Sequence, residues 1–91
     1  MPEKVLFESE QLMGRDAVAE YLRTLADSVE SGSEVTLRAG DQSVTMHPPD
    51  EVEFEVKAER EGPTDGDGEL SIEVELEWPE NASSGGGLSI E

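Results

Sequence analysis

The feature that most constrains this chain is the run Glu69-Leu70-Ser71-Ile72-Glu73-Val74-Glu75-Leu76-Glu77-Trp78. Polar and apolar residues alternate strictly, and the run closes on the only tryptophan. Successive side chains of a strand point to opposite faces, so one face is aliphatic and aromatic and the other almost wholly glutamate. Such a strand belongs to a sheet with one buried and one wet side. The pattern fixes architecture but names no reaction.

The rest of the chain supplies partners for that strand. From about Arg15 to Ser31 the period becomes helical, with Val18, Leu22, Leu25 and Val29 on one stripe and Asp16, Glu20, Arg23, Asp27 and Glu30 opposite. Gly14 serves as N-cap, Asp16 suits the positive end of the helix dipole, and Gly32 supplies a left-handed C-terminal residue. Glu34–Ala39 places Val35 and Leu37 on one face; Gly40-Asp41 marks a tight turn; Gln42–His47 turns Val44 and Met46 inward. Pro48-Pro49 stops that strand, since neither proline can donate to a ladder. Glu51–Arg60 alternates Val52, Phe54, Val56 and Ala58 with charged residues. Residues 62–68 read as a loop from their glycine, proline and aspartate content. Residues 4–13 look extended without a clear period, and an edge strand is expected there.

These elements predict an α+β fold: an antiparallel four- to five-stranded sheet with one amphipathic helix packed on one face, in the order β-α-β-β-β-β. A single domain is expected over residues 3–79, followed by a flexible Gly/Ser-rich tail over 80–91. At 91 residues the chain has room for one modest core.

Charge narrows the function. Twenty-three acidic residues face six basic ones, a formal net charge of −17. That field repels DNA, RNA and anionic membranes, so no nucleic-acid or membrane partner is expected. High negative charge with modest hydrophobicity can signal disorder. It can also signal a folded protein adapted to concentrated salt, where the Debye length falls to ~3 Å at 1 M. The clean periodicities favour salt adaptation, with bulk cations at the acidic surface. There is no cysteine, which excludes disulfides and thiolate chemistry. No stretch approaches the ~20 apolar residues of a membrane helix. The start, Met1-Pro2-Glu3-Lys4-Val5-Leu6-Phe7, lacks the pattern of a secretory signal, so a cytoplasmic location is expected.

Lys4-Val5-Leu6-Phe7, the short amphipathic helix, Glu34-Val35-Thr36-Leu37, Pro48-Pro49-Asp50-Glu51-Val52-Glu53 and the closing Glu73-Val74-Glu75-Leu76-Glu77-Trp78 together resemble the amphi-Trp domain family. The resemblance covers roughly residues 3–78, and its motifs consist of structural residues. It implies a small intracellular, haloarchaeal domain and carries over no catalytic residue.

The chemistry-bearing residues give weak signals individually. The glutamates of the last two strands form either a hydrated cation surface or a decoy of nucleic-acid phosphates; the simpler reading is a solvated, salt-adapted face. Asp65-Gly66-Asp67-Gly68-Glu69 faintly resembles a calcium loop but lacks the ligand run and flanking helices of an EF-hand, and reads as a hairpin loop. His47, the only histidine, has no partner identifiable from sequence and reads as an exposed or turn-packing residue. Carboxylate pairs are too numerous to single one out for acid–base work. Asn81-Ala82-Ser83 matches a glycosylation acceptor by chance.

One helix is ~10 Å across and strands lie ~4.8 Å apart, so one helix covers about two strands of the expected sheet. The remaining apolar surface marks an interaction site. Val52, Phe54, Ile72, Leu76 and Trp78 are the candidate packing surface, as core or as interface. No catalytic residue, cofactor or metal ligand is assigned. The expectation is a non-enzymatic protein–protein interaction or self-association module, with a homodimer possible. The alternative is an acidic module that binds cations or basic protein segments on its glutamate face.

Overall fold

A computed structural model describes residues 3–81. One helix precedes four strands: α1 (Arg15–Ser31), β1 (Val35–Ala39), β2 (Gln42–Met46), β3 (Glu53–Glu61) and β4 (Glu69–Glu77). The α+β class is as expected, but the sheet is not. The strands form two separate two-stranded antiparallel sheets, β1–β2 and β3–β4, in place of one sheet of four to five strands. The chain correspondingly divides into two units, Met1–Pro48 and Pro49–Glu91.

The division falls where the backbone loses its donors. The ladder of β2 ends at Met46, Pro48 and Pro49 follow without an N–H, and strand structure resumes only at Glu53. The expected strand within residues 4–13 also does not form among the described residues, so the order is α-β-β-β-β. That segment has no period to commit it to a ladder. A side chain holds it instead: the Gln42 amide accepts a hydrogen bond from the Glu8 N–H (3.4 Å) and donates one to the Glu8 carbonyl (3.1 Å).

In the first unit the local signals act as the sequence implies. The Gly14 carbonyl accepts bonds from the N–H groups of Ala17 and Val18, and Asp16 accepts one from the Ala17 N–H. At the other end Gly32 adopts φ 72°, and the N–H groups of Gly32 and Ser33 bond back to the Val29 and Ser28 carbonyls. That reciprocal pair is a Schellman motif, which satisfies carbonyls the helix leaves open. The β1–β2 hairpin turns on Gly40 at φ 58° followed by Asp41 at negative φ, a type II′ turn with glycine at its first central position. Thr36 and Thr45 sit opposite each other and their hydroxyls meet at 3.0 Å.

The second unit is one long hairpin. Its register pairs Phe54 with Leu76, Val56 with Val74, Ala58 with Ile72 and Arg60 with Leu70. Between these come Glu53 with Glu77, Glu55 with Glu75, Lys57 with Glu73, Glu59 with Ser71 and Glu61 with Glu69. Neither unit encloses a core: among the described residues no side chain is fully buried. The tail expected over 80–91 lies outside the described residues from residue 82 onward.

Candidate functional site

The β3–β4 register sorts the hairpin into two surfaces of opposite character. One carries Phe54, Val56, Ala58, Leu70, Ile72, Val74 and Leu76, because alternate residues share a face and paired residues lie side by side. It is open: Phe54 is 64% exposed, Val56 59%, Leu70 83%, Ile72 80% and Val74 52%. The structure places Phe54, Ile72 and Leu76 of the expected surface together on this face, with Leu76 half-buried near its end. Val52 precedes β3 and Trp78 follows β4, both half-buried.

Arg60 falls by parity on the same apolar face, opposite Leu70. Its charge does not stay there. The guanidinium donates to the carbonyls of Pro63 and Gly66 at 2.9 Å each, and to that of Gly62 at 3.5 Å. A charge-assisted bond to a carbonyl is stronger than a neutral one, so Arg60 gathers the loop of residues 62–68. The glycine spacing in that loop reflects close approach: a Cβ on Gly68 would collide with the Glu61 carbonyl oxygen, and one on Gly62, at φ 130°, would lie 2.7 Å from the Gly68 Cα. Asp65 and Asp67 therefore belong to a hairpin loop organised by an arginine. The sequence alone assigns Arg60 no such role; the available signal is its parity, which sets a charge on the apolar face.

The opposite face sets three like-charged pairs directly across the ladder: Glu53–Glu77, Glu55–Glu75 and Glu61–Glu69. Such pairs destabilise a sheet. Lys57 interrupts them, with its Nζ 3.8 Å from Glu73 and 3.7 Å from Glu59. Among the described residues no group of three or more histidines, aspartates and glutamates is placed to hold a metal ion.

In the first unit His47 Nε2 lies 3.2 Å from Glu34 Oε1, and both side chains are exposed. No partner for His47 is identifiable from sequence; the contact joins the residue after β2 to the residue before β1, which hairpin pairing brings together. An exposed pair of this kind contributes little to stability.

The first unit also holds an open cleft of about 730 Å³. Phe7, Ser9, Gln11 and Met13 line one side, Tyr21 and Thr24 of α1 a second, and residues 36–40 of β1 and its turn the third. Phe7, Thr36 and Leu37 fall in segments that carry the family resemblance and Gly40 in the expected turn, but no motif marks them as a cleft. The signal available was the two-residue spacing of Phe7, Ser9, Gln11 and Met13, visible once that segment is known to be extended.

A family model described as the Amphi-Trp domain matches residues 1–91, the whole chain. The chain belongs to the Amphi-Trp domain family. The only tryptophan of this Amphi-Trp chain is Trp78, at the end of the apolar alternation. No curated protein and no solved structure matches the chain. Among the described residues of this Amphi-Trp domain no helix is long and apolar enough to cross a membrane.

Proposed function

We propose that this protein is a non-catalytic association module, which covers the apolar face of its β3–β4 hairpin with protein surface. One observation carries the reading: five large side chains, Phe54, Val56, Leu70, Ile72 and Val74, lie side by side on one face and each is more than half exposed. A solitary two-stranded hairpin is marginally stable in water and needs further strands or a packed surface. Contiguous apolar patches of a few hundred Å² mark interaction sites.

The occupant we propose is a second copy. Two such faces apposed would interdigitate like the inner layers of a sandwich, with both glutamate faces turned outward to water and salt. No carboxylate would be desolvated, which spares the contact the largest electrostatic cost available to a chain of charge −17. The cytoplasmic location and salt adaptation expected from composition accompany this reading as part of the proposal.

Light scattering coupled to size exclusion in concentrated KCl tests it. The unmodified chain is expected at a dimer mass and Ile72→Glu, which sets a charge on the face, at a monomer mass. A monomer mass for the unmodified chain at every concentration would overturn self-association.

A further inference from the structure

Antiparallel alternation decides which backbone groups of β1 are already paired. Ala39 and Gln42 flank the two-residue turn, and the pair flanking such a turn exchanges both of its hydrogen bonds. Alternate pairs along the ladder do the same, so Val35, Leu37 and Ala39 direct their N–H and C=O groups at β2. Thr36 and Arg38 direct theirs outward, to the open edge. The 3.0 Å contact between the Thr36 and Thr45 hydroxyls agrees, because side chains approach closest across a non-hydrogen-bonded pair. Among the described residues no backbone–backbone bond reaches this edge from residues 3–13.

The cleft of the first unit runs along that edge. Residues 36–40 line it consecutively, so it borders the side of the strand and not one of its faces. Across from them Phe7, Ser9, Gln11 and Met13 present every second residue, as one side of an extended chain does. The Gln42 amide holds that chain at Glu8 by its N–H and carbonyl, imitating the peptide of a neighbouring strand.

Charge singles out the same place. Twenty-three of the 91 residues are acidic, yet among the described residues no aspartate or glutamate lines the cleft. Its one charged residue is Arg38, which makes no hydrogen bond or ion pair with another described residue.

We propose that this cleft receives an extended polypeptide segment of another protein, which adds as a strand to the edge of β1 and sets an acidic side chain against Arg38. Unpaired strand edges bind extended chains through main-chain hydrogen bonds, while pockets for alternate side chains give selectivity. Here Thr36 and Arg38 supply the main-chain donors and acceptors, and Phe7, Met13, Tyr21 and Leu37 the apolar contacts. The site lies wholly within the first unit.

Amide exchange followed by NMR on the full chain tests the proposal, with the acetylated and amidated peptide Val-Thr-Val-Glu-Val as probe. The expected result is saturable binding that slows exchange of the Thr36 and Arg38 amides and shifts the resonances of the cleft residues. N-methylation of alternate peptide amides should abolish binding, since it removes the strand donors. Lysine in place of the probe's glutamate should weaken binding about threefold or more, the scale of one exposed charge pair. Arg38→Gln should erase that discrimination while still binding the peptide. Three results would overturn the proposal: Thr36 and Arg38 amides already protected in the free chain, no perturbation at saturating peptide, or the same perturbation from N-acetylglutamate alone.

Discussion

The two units of this chain contain hairpins built on opposite terms. The β1–β2 hairpin is short, closes on a two-residue type II′ turn, and accompanies a helix capped at both ends by local hydrogen bonds. The β3–β4 hairpin is nearly twice as long per strand and closes on a loop gathered by Arg60. It carries three like-charged pairs on one face and a bare apolar stripe on the other. Local chemistry accounts for the first unit's elements. The second is specified by its faces, and faces ask for something to cover them. The comparison teaches that strict alternation is a strong instruction for strand formation and register but an incomplete one for stability, because a ribbon has only one neighbour per strand.

The largest effect expected to sharpen that contrast is at the loop. Gly68→Ala would drive a Cβ into the Glu61 carbonyl and against the Arg60 guanidinium, so the loop must open and the hairpin loses its closure. A loss of about 2 kcal/mol, within the range for backbone and packing disruption, is expected for the second unit in thermal or urea unfolding. Gly32→Ala meets nothing within 4 Å and suffers only the left-handed backbone, about 1 kcal/mol, confined to the first unit. Equal effects of the two changes on both units would break the comparison.

A smaller effect separates the units by salt. Glu55→Lys converts a like-charged cross-strand pair with Glu75 into an opposite-charged one, and should stabilise the hairpin by roughly 0.5–1 kcal/mol in dilute buffer. At about 1 M KCl the Debye length is ~3 Å, and the gain should largely vanish. Thermal unfolding in the two conditions reads this directly. A gain that persists unchanged in salt would mean that repulsion across the glutamate face is not what the substitution relieves.

Much of this was legible in the residues. Gly14, Asp16 and Gly32 marked the helix ends, and the helix runs from Arg15 to Ser31 as the period implied. The alternation of Glu69 to Trp78 and of Glu51 to Arg60 predicts two strands, which form over Glu69–Glu77 and Glu53–Glu61 and whose facing register the structure supplies. The single sheet expected from the periodicities does not form: the strands pair as two two-stranded sheets. Pro48-Pro49 marks the stop of one strand, and β2 and β3 on either side of it belong to separate sheets. Periodicity reports which side of a strand is apolar and says nothing about which strand lies next to it. The cleft was invisible for a related reason: it depends on Gln42 holding Glu8 across 34 positions, and no local pattern encodes that bond. Parity groups Ile72 with Leu76 within β4 and the β3–β4 register adds Phe54 to their face, whereas Val52 and Trp78 lie just beyond the strand ends, where parity no longer decides.

The most direct test of the central claim uses the absence of cysteine from the sequence, which makes any introduced thiol unique. Val74→Cys places one on the apolar face and Ser71→Cys one on the polar face three residues away. Labelling rates of the two are then compared in concentrated KCl as protein concentration falls. Association through the hairpin face predicts that the Val74→Cys thiol is protected about tenfold relative to Ser71→Cys at high concentration, equivalent to about 1.4 kcal/mol, with the protection lost on dilution. Equal labelling of the two thiols at every concentration would contradict it.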